Sequence, residues 1–300
     1  MSIFNIAERR QRKADQLHAE GMALSDAGDD EAAIKKYLKA IELDPEKSVS
    51  LYNLGLIYKY RSEWEKSFDL NQRAYLISPD DESSRWNLAI AATALRRWDV
   101  ARRMWVDQGI ELEPGIGPIE MNLGRVPIRL NPEDDGEVVW ATRIDPVRAR
   151  IDSIPLPDSG FRHGDVVLHD GAAVGNRVVN EREYPVFNVL ELFKQSKHGT
   201  FRASVEVASK DAIEQLHKAA DRRGITVEDW TESIRILCRQ CSEGTSHKHH
   251  DNDLDDGHWQ LQRNIGIAAN DAASVNELMQ IWASQTSSRV SAIDCELEPL

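Results

Sequence analysis

A period of 34 residues constrains the first third of this chain more than any other feature. Asn53 falls on Asn87, Leu54 on Leu88 and Trp64 on Trp98, while Gly21 precedes Gly55, and Pro45 precedes Pro79, by the same interval. A fixed period of this length marks stacked supersecondary units, each too small to bury its own apolar face. Each unit reads as two helices joined by a turn. A small residue beside a large one, as at Leu54-Gly55, lets the second helix come close to the first. Pro45 and Pro79 lie where one unit must stop and the next begin. Asp29-Asp30-Glu31 puts carboxylates at a helix N-terminus, where the dipole favours them. Ser62-Glu-Trp-Glu65 has the spacing of a capping box.

With this period and these residue types, residues 12–114 resemble three tetratricopeptide (TPR) repeats. The first unit carries Gly21, Leu24, Gly28, Ala33, Tyr37, Ala40 and Pro45 at the family's spacing. The second carries Leu51, Leu54, Gly55, Tyr58, Ala74 and Pro79, with Ser67 and Asn71 where Ala and an aromatic are usual. The third carries Leu88, Ala89, Ala101 and Trp105, with one residue inserted before Pro114. The resemblance implies a curved array whose first helices line a concave groove. It places Tyr52, Asn53, Leu56, Trp86, Asn87 and Ile90 on that groove as the partner-binding residues, with Met22 extending the apolar rail of Leu56 and Ile90. Asn amides can bond a peptide backbone, and the apolar and aromatic side chains supply burial. The expected partner is another protein or a peptide. The carboxylate clamp of the chaperone-binding TPR class is not expected. Where that clamp wants Lys, Asn, Asn, Lys and Arg, this chain has His18, Met22, Asn53, Ser83 and Asn87, and only Asn53 matches.

TPR arrays usually end in a polar capping helix, because the last repeat exposes an apolar face. The stretch after Pro114, GIGPIEMNLGRVP, is too rich in Gly and Pro to form one. Something else must cover Leu95, Val100 and Met104. The obvious candidate is the chain's own C-terminal half, which could also fill the groove in place of an external peptide.

From Arg125 the apolar pattern changes to period two. VPIRL, EVVWATRI, VRARIDSIPLP, GDVVLHDGAAVGNRVV and YPVFNVLELF read as strands separated by turns. Beyond them, TFRASVEV leads into the helix KDAIEQLHKAADRRG, and WQLQRNIGIAA leads likewise into DAASVNELMQIWAS, with a last strand RVSAIDCEL. Two such strand–helix units fit a ferredoxin-like layer. Between them VEDWTESIRILC reads as a helix. The expected fold class is α + (α+β): a TPR array over residues 1–114, a β-rich sandwich or barrel over 115–195, and an α+β domain over 196–300, with the array packed on the C-terminal part.

CRQCSEGTSHKHHDND, residues 238–253, holds two of the chain's three cysteines and three of its nine histidines. Cys238 and Cys241 are spaced C-x2-C, and with His247 and His250 they make a Cys2His2 set suited to structural zinc. The fourth ligand is open among His249, His250, His258 and Cys295, and a metal-free polar loop or, less favoured, a reactive thiol is the other reading of the stretch. A metal-dependent enzyme at this cluster, with Glu243, Asp251 or Asp253 as base, is the alternative function. No phosphate loop, dinucleotide fingerprint or nucleophile elbow is present.

The net charge of −13 disfavours nucleic acid, which needs a basic surface. The acidity sits mostly beyond residue 114, so an inhibitor or immunity protein for a basic partner is a further alternative. The N-terminus does not read as a signal peptide, no stretch is long enough to span a membrane, and an odd cysteine count suits a reducing compartment. A cytoplasmic location is expected. The sequence is thus that of an interaction protein whose partner it does not name.

Overall fold

Six helices built on the 34-residue period open the chain: α1 (Ile3–Asp26), α2 (Asp30–Leu43), α3 (Ser48–Tyr60), α4 (Trp64–Ile77), α5 (Glu82–Ala94) and α6 (Trp98–Asp107). The structure is a computed structural model that describes residues 3–133, 136–179, 182–231 and 259–300. The chain divides into two compact units, Met1–Glu120 and Met121–Leu300.

In the first unit the turn inside each repeat is built the same way three times. Gly28, Ser62 and Arg96, 34 residues apart, all take positive φ, at 79°, 54° and 57°. The amide of the residue after each one reaches back to the carbonyl five residues before it: Asp29 to Leu24 at 2.9 Å, Glu63 to Tyr58 at 2.9 Å and Arg97 to Ala92 at 2.8 Å. This left-handed stop satisfies carbonyls that the helix end would otherwise leave unpaired. It also corrects the expected capping box. Ser62 closes α3 rather than opening α4, whose N-cap is Glu63 without a side-chain cap bond. The acidic start of α2 is formed as the sequence suggested, with Asp29 accepting from the Ala32 amide.

No capping helix follows α6 among the described residues. The Gly/Pro stretch is instead strapped to it by one guanidinium: Arg102 donates to the carbonyls of Gly117 at 2.7 Å, Glu113 at 2.8 Å and Pro118 at 3.4 Å. Met104 and Trp105 of α6 are fully buried.

The second unit begins with five strands: β1 (Arg125–Arg129), β2 (Val138–Arg143), β3 (Arg148–Ile151), β4 (Val166–Val179) and β5 (Arg182–Lys194). They close into a barrel in sequence order, with β1 antiparallel to β2 and parallel to β5. Closure leaves no sheet edge to be covered. The alternation foreseen in the sequence sends Val126, Ile128, Val139, Ala141, Ala149, Ile151, Val167, Phe187 and Val189 into one core.

The remainder is a layer of four antiparallel strands in the order β7-β8-β6-β9, comprising β6 (Gly199–Glu206), β7 (Thr226–Asp229), β8 (Gln262–Ala269) and β9 (Arg289–Leu297). With α7 (Lys210–Asp221) and α8 (Ala272–Thr286) the order among the described residues is β-α-β-β-α-β, the ferredoxin-like connection. One correction falls here. Residues from Val227 were expected to be helical, but Thr226–Asp229 form β7, paired with β8. The buried Asp229 carboxylate holds Arg263 of β8, and the Trp230 indole donates to the Ile154 carbonyl at 3.0 Å, tying this layer to the barrel. Gly266 makes room for it, since a Cβ there would sit 2.3 Å from the Trp230 ring. His163 reinforces the same junction, with Nδ1 on the Asp152 carbonyl and Nε2 on the Thr226 hydroxyl.

Two predictions follow from this packing. Ser62 is exposed and holds a left-handed conformation that favours glycine, so Ser62→Gly should stabilise the chain by about 1 kcal/mol in a denaturant titration. His169 is fully buried in the barrel wall, its Nδ1 bonded to the Asp170 carbonyl at 2.8 Å, and burial lowers its pKa from 6.5 to about 4. The unfolded chain therefore takes up that proton first. The stabilisation is complete above pH 6.5 and is lost as pH falls toward 4, by about 3 kcal/mol in all. The thermal midpoint should fall less steeply over that range in His169→Gln than in the wild type.

Candidate functional site

The groove of the first unit is built on α1 and α3, the first helices of two successive repeats, with α2 between them supplying the floor. Tyr37 of α2 is the floor residue. It is buried against Gly21 of α1, where a Cβ would lie 2.8 Å from the ring. Its hydroxyl accepts from Asn53 Nδ2 at 3.4 Å, and burial raises its pKa, so it stays a neutral phenol. The His18 ring lies 5.7 Å from Tyr37, with Nδ1 3.0 Å from the Ser50 hydroxyl. Burial, and then the Lys47 ammonium, lower the His18 pKa, which favours the uncharged imidazole.

Above this floor lies an open cavity of about 260 Å³, lined by Met22, Ser25, Asp26, Asp30, Tyr37, Asn53, Leu56, Ile57 and Tyr60. An apolar cavity of about 150 Å³ already admits a benzene-sized group, so one long aliphatic or aromatic side chain fits. Met22 and Tyr60 are exposed, at 44% and 59%, although both are large and apolar.

The structure does not bring the six expected groove residues together as one surface. Asn53 and Leu56 line the cavity, and Tyr52 is half-buried on α3 outside its lining. Trp86 is half-buried and packs edge-on against Trp105, with ring centres 4.9 Å apart. Asn87 and Ile90 are buried, and the Asn87 carbonyl oxygen accepts from the buried Lys59 ammonium at 3.3 Å. The two asparagines therefore differ: one amide borders an open cavity and the other is engaged inside the protein. Asp26, Asp30, Tyr37, Ile57 and Tyr60 are lining residues that sequence reasoning missed. Spacing could have found two of them, because Asp26 lies four residues after Met22 and Tyr60 four after Leu56, on the same helix faces.

Cys238, Cys241, His247 and His250 lie outside the described residues, as do His249 and His258. Cys295 is described and sits exposed on β9. Among the described residues there is no group of three or more His, Cys, Asp or Glu side chains placed to hold a metal ion. Nor is any helix among them long and apolar enough to cross a membrane.

Residues 21–60, which span the whole of this cavity, match the family described as TPR repeat. The helical unit thus carries TPR repeats, and a mixed α+β region follows it. Among solved structures, the chain is similar to the second TPR of Spaghetti (RPAP3) bound to HSP90 peptide SRMEEVD. The identity there is 19%, over 33% of this chain and 87% of that one, with a TM-score of 0.32. The first TPR of the same protein, bound to the same peptide, is 20% identical over 32% of this chain and 76% of that one, with a TM-score of 0.31. The Arabidopsis OM64 TPR domain is 17% identical over 32% and 84%, with a TM-score of 0.30. No curated protein matches the sequence.

The groove depends on how closely α3 lies to α4. Ser67 donates to the Gly55 carbonyl at 2.9 Å, and Asn71 Nδ2 donates to the Ser67 carbonyl at 2.8 Å, all fully buried. A Cβ at Gly55 would stand 2.6 Å from Asn71 Nδ2. Gly55→Ala should therefore cost about 1–3 kcal/mol, measured by chemical denaturation. Asn71→Ala in the same chain should recover part of that loss, giving a coupling that two independent sites would not show.

Proposed function

We propose that this chain is a protein-interaction adaptor that binds an extended segment of a partner protein in the groove between α1 and α3. The observation that carries the reading is the open cavity over Tyr37, at whose rim Met22 and Tyr60 stay exposed. Large apolar groups held at an open concavity mark a contact surface. Asn53 lies beside them with an amide able to bond a peptide backbone, and Leu56 offers an apolar wall.

The family match supports a binding role of this kind, because a TPR array is a scaffold for an extended concave surface. The Spaghetti repeats are bound to an acidic HSP90 peptide. This chain has His18, Met22 and Ser83 where the clamp for such a carboxylate would need cationic or amide groups, which favours a different ligand.

The reading is tested by placing the photo-crosslinking residue benzoylphenylalanine at Met22 in the expressing cell. A second chain carries it at Leu76, an exposed position on α4 away from the cavity. Met22 should give a discrete protein adduct that Leu76 does not, and Leu56→Glu should abolish it while the thermal midpoint changes little. Equal adducts at both positions, or an adduct that survives Leu56→Glu, would place the contact elsewhere.

A further inference from the structure

We infer that the segment seated in this groove carries a basic side chain, Lys or Arg, next to an apolar one. This rests on the proposed peptide-binding reading and names the chemistry of its partner.

The cavity lining holds two carboxylates, Asp26 and Asp30, and no cationic side chain. Two cations close to it are already engaged. Arg61 pairs with Glu31 at 2.7 Å and Asp30 at 3.8 Å, and the buried Lys59 ammonium donates to Asn87. Asp26 has no ion-pair partner among the described residues. The opening therefore presents the unpaired Asp26 carboxylate beside an apolar pocket.

Asp30 has a local reason to be acidic. It stands in the first turn of α2, where a negative charge is stabilised by the helix dipole. Asp26 has the opposite situation. It is the last residue of α1, a helix with no basic residue in its last turn, so its charge faces the negative end of the dipole. Local structure gains nothing from an acid at this position. A cationic ligand would.

The remaining lining matches the stem of a long basic residue and its neighbour. Lys and Arg bury their methylene stems along apolar surface while the charged head stays near water. Leu56, Ile57 and Met22 can take the stem or the adjacent apolar side chain, and Asp26 takes the charge at the rim. An acidic peptide would meet the same two carboxylates with like charge.

The test is selection of a random displayed heptapeptide library on the full chain. The affinity of the selected peptides is then measured by fluorescence anisotropy for the wild type, Asp26→Asn and Leu56→Glu, with the same peptides carrying Glu in place of each Lys or Arg as the acidic comparison. The expected result is enrichment of Lys or Arg beside Leu, Met or an aromatic, with the Glu-substituted peptides bound more weakly. Asp26→Asn should lower affinity about three- to five-fold, as for an exposed ion pair, and added salt should weaken binding. The same substitution should leave the thermal midpoint unchanged or raise it, which a structural role for Asp26 would not do.

Selected peptides that lack basic residues, keep full affinity for Asp26→Asn and lose it with Leu56→Glu would overturn this inference while leaving the groove as the binding site. Peptides indifferent to Leu56→Glu, or no enrichment at all, would overturn both readings.

Discussion

Everything in the helical unit depends on two helices meeting where one of them has almost no side chain. Gly21 faces the Tyr37 ring, and Gly55 faces the Asn71 amide, at distances that a single added carbon would violate. Ala89 and Trp105 hold the equivalent positions in the third repeat and both are fully buried. The small residue thus fixes how deeply the large one can sit. Burying a ring completely is worth roughly 1.5–3 kcal/mol, so the first and third repeats gain stability at the spot that sets their helix spacing. The groove is the opposite face of the same arrangement: with Tyr37 drawn down against Gly21, the space above it between α1 and α3 is left open.

The middle repeat shows how far this contact can vary. Asn71 stands where the first repeat has a tyrosine and the third a tryptophan, and it leaves one amide oxygen buried with no partner. Ser67 compensates by bonding across to the Gly55 carbonyl and by accepting from the Asn71 amide in turn. A buried polar network that is nearly but not fully satisfied costs stability relative to an apolar contact. It also ties α3, which carries Asn53 and Leu56, to one position relative to α4. The second unit solves its packing differently. Its barrel closes on itself, and four of its buried charges are held as two ion pairs, Asp145 with Arg148 and Asp229 with Arg263.

Periodicity made most of the architecture legible. The 34-residue interval gave the helix pairs, and the left-handed turns fall at that same interval. The change to period two beyond Arg125 announced the strands that close into a barrel, and the paired strand–helix patterns announced the ferredoxin-like layer. The failures were local and have local causes. Ser62 looks like a cap in sequence, because nothing in one dimension shows that the preceding helix needs a left-handed residue there. The stretch at Val227 looks helical because Trp230 and Ile234 have helical spacing, whereas Asp229 and Trp230 are claimed by β8 and the barrel. In the groove, the family spacing supplied Asn53 and Leu56 but not the acids, since Asp26 reads as an ordinary helix-end residue until the cavity beside it is seen.

The sequence by itself determined the repeat, its length and its pairs of helices, because these depend on residue spacing along one chain and on the steric needs of glycine and proline. Only the tertiary structure decided which of those residues remain accessible. Asn53 and Asn87 occupy the same place in the period, yet one borders an open cavity and the other is buried against Lys59. Equivalent positions become different sites when each meets a different neighbour, and neighbours are set by packing across the fold rather than by spacing along the chain.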